Sequence, residues 1–581
     1  MKEKSTVRKI VRIVILLLLL VLVIVGLIFG IKIAPNYANN EITNKVNLVV
    51  NYTNVTDRMK HDLFIDNNGV VYLSMDDIQN YYDDNIYYDK EYNQIVTSSE
   101  ESLAVVGFEE KVIEVNGEKI DSKGSAVVKG GVYYLPISEM QDIYNLKMYK
   151  LDNKVVLESL DRKLTTAVTT KKISVKVKAT TLSRTIEKLK AGDKVVIVEK
   201  DANLVPAGWT KIRTQNGNLG YVELKNINNI TVEREDAKPK KYMNEKISLA
   251  WEYFSEFAKA PDNTGKTYDG VNVVSPSFFY LKLKNTDKEK PTKVDVISQT
   301  KLHANIGNAG EEYIKWAKEN GYKVWPKVTN DTLATTIDEF SVLINDYKMR
   351  EIIIDSILKY VDQYELDGIN IDFENMYQED RDAFTKFIIE LAPQMRSRGA
   401  VLSVDVTAPD GSATWSLCYD RKKLGEVADY VVFMGYDQYG TNTIGTTSGY
   451  GWVDKSINKF LDTKGKEYIP ADKIILGLPF YTKLWKTQGD KTIGSNVISL
   501  ANIDNQIPAD AKREWKEELQ QDYVEYTKGN ITYKIWVEDN DSFAKKLELV
   551  NKYKLAGAAY WRKGFDNSSI WKVIKNTLNL N

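Results

Sequence analysis

The rhythm of hydrophobic and polar positions changes several times along this chain. Lys2, Lys4, Arg8, Lys9 and Arg12 precede an unbroken run of 19 apolar or glycine residues, Ile13 to Ile31. A helix of that length crosses a bilayer core, and its basic end marks the cytoplasmic side. Ile31-Lys32-Ile33-Ala34-Pro35 offers no convincing cleavage site. Residues 1–35 therefore read as a basic end and a signal anchor rather than a cleaved signal peptide. That places the remainder outside a single-pass cell membrane. Residues 40–165 carry short apolar runs with a faint duplication. The stretch from Val71 to Ile78 (Val-Tyr-Leu-Ser-Met-Asp-Asp-Ile) is echoed from Tyr133 to Met140 (Tyr-Tyr-Leu-Pro-Ile-Ser-Glu-Met). Each copy predicts a strand and then a short helix with Ser74 or Ser138 near its start. A Tyr-rich strand follows each, at Asn85–Tyr88 and Leu146–Tyr149. Residues 170–230 predict a small all-β domain, with strand-like runs at 195–199, 209–213 and 220–224 and a hairpin turn at Asn216-Gly217. A Lys-rich linker, Asp236 to Lys241, leads onward.

From 242 to 581 strand patterns alternate with helical ones. Strands are predicted at 247–251, 271–279, 323–328, 368–374, 402–407, 430–436, 473–479 and 557–561, and helices fill most gaps, as at 351–364 and 381–395. Such units predict a (β/α)8 TIM barrel. The stretch 485–536 is too long for an ordinary loop and predicts a small α+β insertion after strand seven. The expected fold is thus multidomain: a transmembrane helix, an α+β stalk domain, a small all-β barrel and a C-terminal TIM barrel.

The most informative strand is Leu366 to Glu374. Side chains alternate along a strand, so Asn370, Asp372 and Glu374 share one face while Ile369, Ile371 and Phe373 share the other. An acidic face on so apolar a strand is costly unless it lines a wet cavity. Asp372 and Glu374 lie about 6.6 Å apart at Cα. Side by side, they suit one proton donor with one helper, rather than an acid facing a nucleophile across a sugar.

Composition narrows the chemistry. Lys and Arg number 79 against 80 Asp and Glu, so no overall charge favours nucleic acid. One cysteine, Cys418, excludes an intrachain disulfide. The two histidines, His61 and His303, are far apart in sequence, which argues against a zinc site and a His-based triad. No metal or cofactor is expected, and the chemistry falls to carboxylates and tyrosines.

Asp367-Gly368-x-Asn370-x-Asp372-x-Glu374 resembles the signature of glycoside hydrolase family 18, the chitinase-like enzymes, whose usual form has Asp where this chain has Asn370. Three further segments resemble that family's strand motifs: Met434-Gly435-Tyr436-Asp437, Gly477-Leu478-Pro479-Phe480-Tyr481, and Gly557 to Trp561 followed by Asp566. The resemblance covers the barrel region only. It implies substrate-assisted hydrolysis with retention. Glu374 would be the general acid, Asp372 would orient the substrate's acetamido N–H, and Tyr436 would donate to the acetamido oxygen. Asn370, Asp437 and Tyr481 would serve substrate binding, and Trp561 would floor the cleavage position. Asn370 cannot hold a charge, so Asp372 would be ionised more permanently, and its amide is expected to hydrogen-bond Asp372. The Asn form resembles the spore-cortex and wall-lytic members, which leans the substrate towards peptidoglycan.

Residues 40–165 resemble a copper amine oxidase N-terminal-like domain, although no copper follows, since His61 has no partner histidine. Residues 170–230 resemble the bacterial Src-homology-3-like fold. Both read either as spacers or as modules that contact the cell wall. The leading expectation is a membrane-anchored glycosidase that cuts β-1,4 bonds after N-acetylglucosamine in wall glycan. The rivals are an outward-facing chitin hydrolase and a sugar-binding surface protein without activity; retention of Glu374 favours the enzyme.

Overall fold

The computed structural model describes residues 2–28, 45–198, 205–237, 243–254, 263, 266–283, 291–297, 300–330, 334–440 and 443–580. The chain divides into two compact units, residues 1–99 with 104–240, and residues 100–103 with 241–581.

In the first unit, a helix runs over Lys2–Ile28, and its Lys9–Ile28 stretch is long and apolar enough to cross a membrane. Residues 29–31 of the expected span lie outside the described residues. The two echoed segments pair with each other: Val132–Leu135 lies antiparallel to Val71–Ser74, with Leu135 opposite Leu73. Their continuations differ. Ser74 caps the helix Met75–Tyr81 by accepting from the Asp77 N–H. In the second copy Pro136 occupies the matching position and has no side-chain acceptor, so only a 3-10 turn forms at Ile137–Glu139. Ser138 does not cap it. Its Oγ accepts from the Val71 N–H at 3.1 Å, tying one repeat to the other.

A seven-stranded sheet follows. It begins at Leu164–Thr169, earlier than the alternation suggested, because that Thr-rich strand pairs with both Lys194–Ile197 and Ile227–Arg234. Gly217 takes φ +71° in the hairpin before Leu219–Glu223, a conformation that glycine adopts without a side-chain penalty. Residue 199 of an expected strand and residues 238–241 of the linker lie outside the described residues.

The second unit is built on eight parallel strands: β1 (Ile247–Glu252), β2 (Val273–Pro276), β3 (Lys323–Val324 and Lys327–Thr329), β4 (Gly368–Asp372), β5 (Val401–Val406), β6 (Tyr430–Met434), β7 (Ile474–Pro479) and β8 (Gly557–Lys563). Each strand pairs with the next, and β8 pairs back onto β1, which closes the barrel. The interruption in β3 falls at Trp325-Pro326, where proline brings no N–H to the ladder. Alternation then separates two cores. Ile369, Ile371 and Phe373 point outward into the layer shared with the helices. Leu249, Trp251, Trp325, Val401, Val432, Ile475 and Ala559 pack together inside the barrel. Gly368 has to be glycine, because a Cβ there would lie 2.7 Å from the Val401 carbonyl and 2.8 Å from the Trp325 ring.

The helix before β4, Tyr347–Tyr364, starts at an Asp346 cap and stops at Glu365, which adopts the left-handed conformation. Arg381–Ser397 follows β4, and the buried Arg350 and Glu390 join these two helices through paired hydrogen bonds. The inserted segment after β7 is almost wholly β. Five antiparallel strands, from Tyr481–Gln488 to Ile531–Trp536, form a sheet with one short helix, Ile503–Gln506.

Candidate active site

Parallel-barrel chemistry sits at the C-terminal strand ends, and there the inward faces of β3, β4 and β5 become polar. Asn370 and Asp372 are buried on β4, at 0% and 4% exposure, despite their polarity. Glu374 lies just past the strand. Its backbone is clamped by Asn330, whose Nδ2 donates to the Glu374 carbonyl at 2.7 Å and whose Oδ1 accepts from the Glu374 N–H at 3.0 Å. Asn375 then turns the chain at φ +52°. From below, the Tyr419 hydroxyl donates to the Phe373 carbonyl at 2.7 Å. The acid therefore stands on a fixed backbone rather than a loose loop.

Lys327 of β3 donates to Asp372 Oδ2 at 2.7 Å, and both side chains are nearly buried. Apart from the proton that Glu374 carries, Asp372 Oδ1 has no donor among the described residues. The Glu374 carboxyl lies beside it. Burial first, then the Asp372 charge and its hydrogen bond, push Glu374 well above the ordinary carboxylate range; Lys327 pulls it down and Asp405 pushes it up. Glu374 thus holds a proton at pH values where a free glutamate has lost it, as a general acid must.

Asn370 does not bond Asp372. Its Oδ1 accepts from Trp251 Nε1 at 2.8 Å, and its Nδ2 donates to Ser403 Oγ at 3.1 Å and Asp405 Oδ1 at 2.6 Å. Both amide hydrogens are committed to β5, whose Ser403 lies in register with Asn370. Asp405 is fully buried and raised well above its ordinary value, by burial first and by Asp372 next, while Asn370 and Lys327 pull it down.

The other expected residues converge on the same mouth. Tyr436 follows β6, and its hydroxyl is held in the neutral form by burial and by the charges of Asp372, Tyr481, Asp405 and Glu374. Asp437 takes φ +54° and pairs with Lys483 at 2.9 Å. Tyr481 is the first residue of the inserted sheet, edge-on to Tyr436 at 6.3 Å between ring centres. Trp561 of β8 meets Trp251 edge-to-face at 6.0 Å, and the Lys327 ammonium lies 4.5 Å from the Trp561 ring centre.

Residues 251–566, more than half of the chain, match the model of glycosyl hydrolases family 18. The chain belongs to this family. Similar family relatives include the uncharacterized glycosylase YvbX of Bacillus subtilis, 27% identical over 46% of this chain and 79% of that protein. The cortical fragment-lytic enzyme of Bacillus subtilis is 26% identical over 45% of this chain and 66% of its own length. Among solved structures, the spore cortex-lytic enzyme SleL of Bacillus megaterium matches with a TM-score of 0.46 and 20% identity, over 61% of this chain and 79% of that one. Against the family signature, this chain keeps the carboxyls at 372 and 374 and departs at 370.

Sequence reasoning missed Lys327, Asn330 and Asp405. For Lys327 and Asp405 the signal was there: carrying the same alternation across β3 and β5 puts Trp325, Lys327 and Thr329 on one inward face and Val401, Ser403 and Asp405 on the next, whereas Asn330, past the end of β3, carried none.

Proposed function

We propose that the barrel hydrolyses β-1,4 bonds after N-acetylglucosamine in peptidoglycan, with retention and with the substrate's own acetamido group as nucleophile. The observation that carries this reading is the side-by-side pair: a protonated, half-buried Glu374 next to an Asp372 whose Oδ1 takes no other donor among the described residues. Glu374 donates its proton to the leaving oxygen as the C1–O bond breaks. The acetamido oxygen attacks C1 and forms an oxazolinium ion. Asp372 Oδ1 accepts the acetamido N–H and stabilises the positive charge that grows there. The neutral Tyr436 hydroxyl donates to the acetamido oxygen. Glu374, now a carboxylate, takes a proton from water; that water attacks C1, the ring opens, and the original configuration returns. Asp437 and Tyr481 hold sugar atoms, Trp561 supplies an apolar floor, and Asn370 serves from deeper on the same inward face, through Ser403 and Asp405.

Relatives named for cortical-fragment lysis support peptidoglycan, whereas others named as chitinases keep chitin as the second reading. The Lys9–Ile28 helix supports a signal anchor with the barrel outside the cell. In the first unit, a cleft of about 570 Å³ lined by Tyr52, Lys154, Arg184, Lys211 and Tyr221 offers cations and rings to an anionic wall polymer. Mass spectrometry of products from purified wall and from chitin tests the substrate. Fragments with reducing-end N-acetylglucosamine released from wall are expected; action on chitin alone would replace the first reading by the second. Protease added to wall-stripped cells tests the topology: the barrel should be cleaved from outside, and a protected barrel would overturn the anchor.

A further inference from the structure

Lys327 lies outside every motif that carries the family resemblance, yet it donates to Asp372 at 2.7 Å. Its ammonium has two anchors, Asp372 Oδ2 at 2.7 Å and the face of Trp561 at 4.5 Å. The groups facing Asp372 come from four strands and one loop: Lys327 on β3, Glu374 after β4, Asp405 on β5, Tyr436 after β6, and Tyr419 before the helix Arg421–Val427. Three are carboxyls with Asp372 included, two are phenols, and one is a cation. Three neighbouring carboxylates in a nearly dry layer cannot all ionise without a counter-charge.

Asn370 supplies none, and it offers Asp372 no hydrogen bond either. Its carbonyl is taken by Trp251 and its two N–H groups by Ser403 and Asp405. An Asp372 carboxylate that swung towards position 370 would meet no donor, while one that stays keeps the lysine.

From this geometry we propose that Lys327 is a positioning residue: its ammonium locks Asp372 by Oδ2, so that Oδ1 stays aimed at the Glu374 proton and at the acetamido N–H of the substrate throughout the reaction. This rests on the substrate-assisted reading above and adds to it that the helper acid of this chain is fixed rather than swinging. The lysine replaces, from β3, the charge balance that an acid at position 370 would share along β4.

The test uses the full chain in detergent and compares Lys327→Met, Lys327→Arg and Asp405→Asn. Lys327→Met should lower kcat on the order of 10²-fold, the scale of a misplaced reacting group. It should also move the alkaline limb of the kcat/KM profile to higher pH, because the lysine lowers the Glu374 pKa. Lys327→Arg should restore the limb to its wild-type position. Asp405→Asn removes a charge that raises Glu374 and should move the limb the opposite way. A Lys327→Met enzyme with wild-type kcat, or one whose rate falls while the limb stays put, would overturn the proposal. If Lys327→Met does not fold, Lys327→Gln takes its place: its limb should move to higher pH, opposite to that of Asp405→Asn, and a limb that stays put would overturn the proposal. Binding of an N-acetylglucosamine thiazoline separates the two levels. A wild type that binds it but cuts no glycan sinks the glycosidase reading alone, and Lys327 is then judged by whether Lys327→Met loses binding that Lys327→Arg keeps. Equal thiazoline affinity in wild type and Lys327→Met would sink the lysine's role.

Discussion

Two buried lysine–carboxylate pairs in the barrel unit differ in what they leave unsatisfied. At the root of the insertion, Lys546 donates to both oxygens of Glu538, at 2.8 and 2.6 Å, and to the Ser448 carbonyl at 2.9 Å. Glu538 also accepts from Ser542 Oγ and Gln521 Nε2, and Gln521 in turn accepts from Thr446. Every hydrogen of the ammonium is used. At the mouth, Lys327 has one carboxylate oxygen and a ring face, and Asp372 Oδ1 has no donor among the described residues but the Glu374 proton. The electrostatics separate them as well. Burial pushes Lys546 down and Glu538 up in spite of their attraction. Burial also works to lower Lys327, but Asp372, Glu374 and Asp405 together carry it above its ordinary value. A closed network of this kind specifies a fold, whereas a buried polar atom left open in a cavity calls for a ligand.

The sharpest way to break the comparison is at the open pair. Glu374→Gln removes the acid and keeps a donor for Asp372. Turnover should fall by about 10²–10⁴ with the circular dichroism and unfolding transition preserved. Wild-type turnover would remove Glu374 from the reaction.

At the closed pair the same kind of cut should be felt in stability. Lys546→Met leaves Glu538 buried without its counter-ion, which should cost about 3–5 kcal/mol in urea unfolding, whereas Lys546→Met with Glu538→Leu should return most of it. The pH–rate profile of whatever remains folded should not move. A shifted limb would mean that the root of the insertion reaches the chemistry after all.

These two pairs also show how far the sequence could be read. Alternation alone put Asn370, Asp372 and Glu374 on one face of a strand, because apolar Ile369, Ile371 and Phe373 left no other arrangement. Helix ends were less legible: the helix expected from 351 begins at Tyr347 on the Asp346 cap, and the need for glycine at 368 comes from Val401 and Trp325, both distant in sequence. Which neighbour satisfies Asn370 was not legible. That depends on the stagger between β4 and β5, a property of barrel closure, and it delivered Asp405 where Asp372 was expected. The insertion after β7 was legible as a sheet-and-helix segment from its length, but its individual strands, such as Arg513–Lys516 with the single apolar Trp515, carry little hydrophobic signal. The Ser138 turn failed as a helix for a local reason, the proline at 136.

A smaller effect sharpens the Asn370 result. Asn370→Asp sets a carboxyl against Asp405 and removes donors to Asp405 and Ser403, at an expected cost of about 1–3 kcal/mol. Exchanging the pair, Asn370→Asp with Asp405→Asn, rebuilds an amide-to-carboxylate hydrogen bond across the same gap. A double-mutant cycle should then show favourable coupling between the two positions. Simple additivity would mean that the 2.6 Å contact contributes nothing to the fold.

The smallest expected effect concerns the stability that the open site gives up. Glu374 is raised in the folded chain, so between the ordinary carboxylate range and that raised value the folded state binds a proton that the unfolded state has released. Stability then falls as pH rises. Above the raised value both states are ionised, and the fold carries the full penalty of a buried charge beside Asp372. Gln at 374 has no proton to lose, and its amide can still donate to Asp372 Oδ1. Asp372, Asp405 and Lys327 are present in both proteins and largely cancel in the comparison. The melting temperature of Glu374→Gln should therefore exceed that of the wild type by a few degrees at pH 8, with the gap closing towards pH 5. A gap that is constant with pH, or that widens on acidification, would mean that Glu374 is not the raised acid at the barrel mouth.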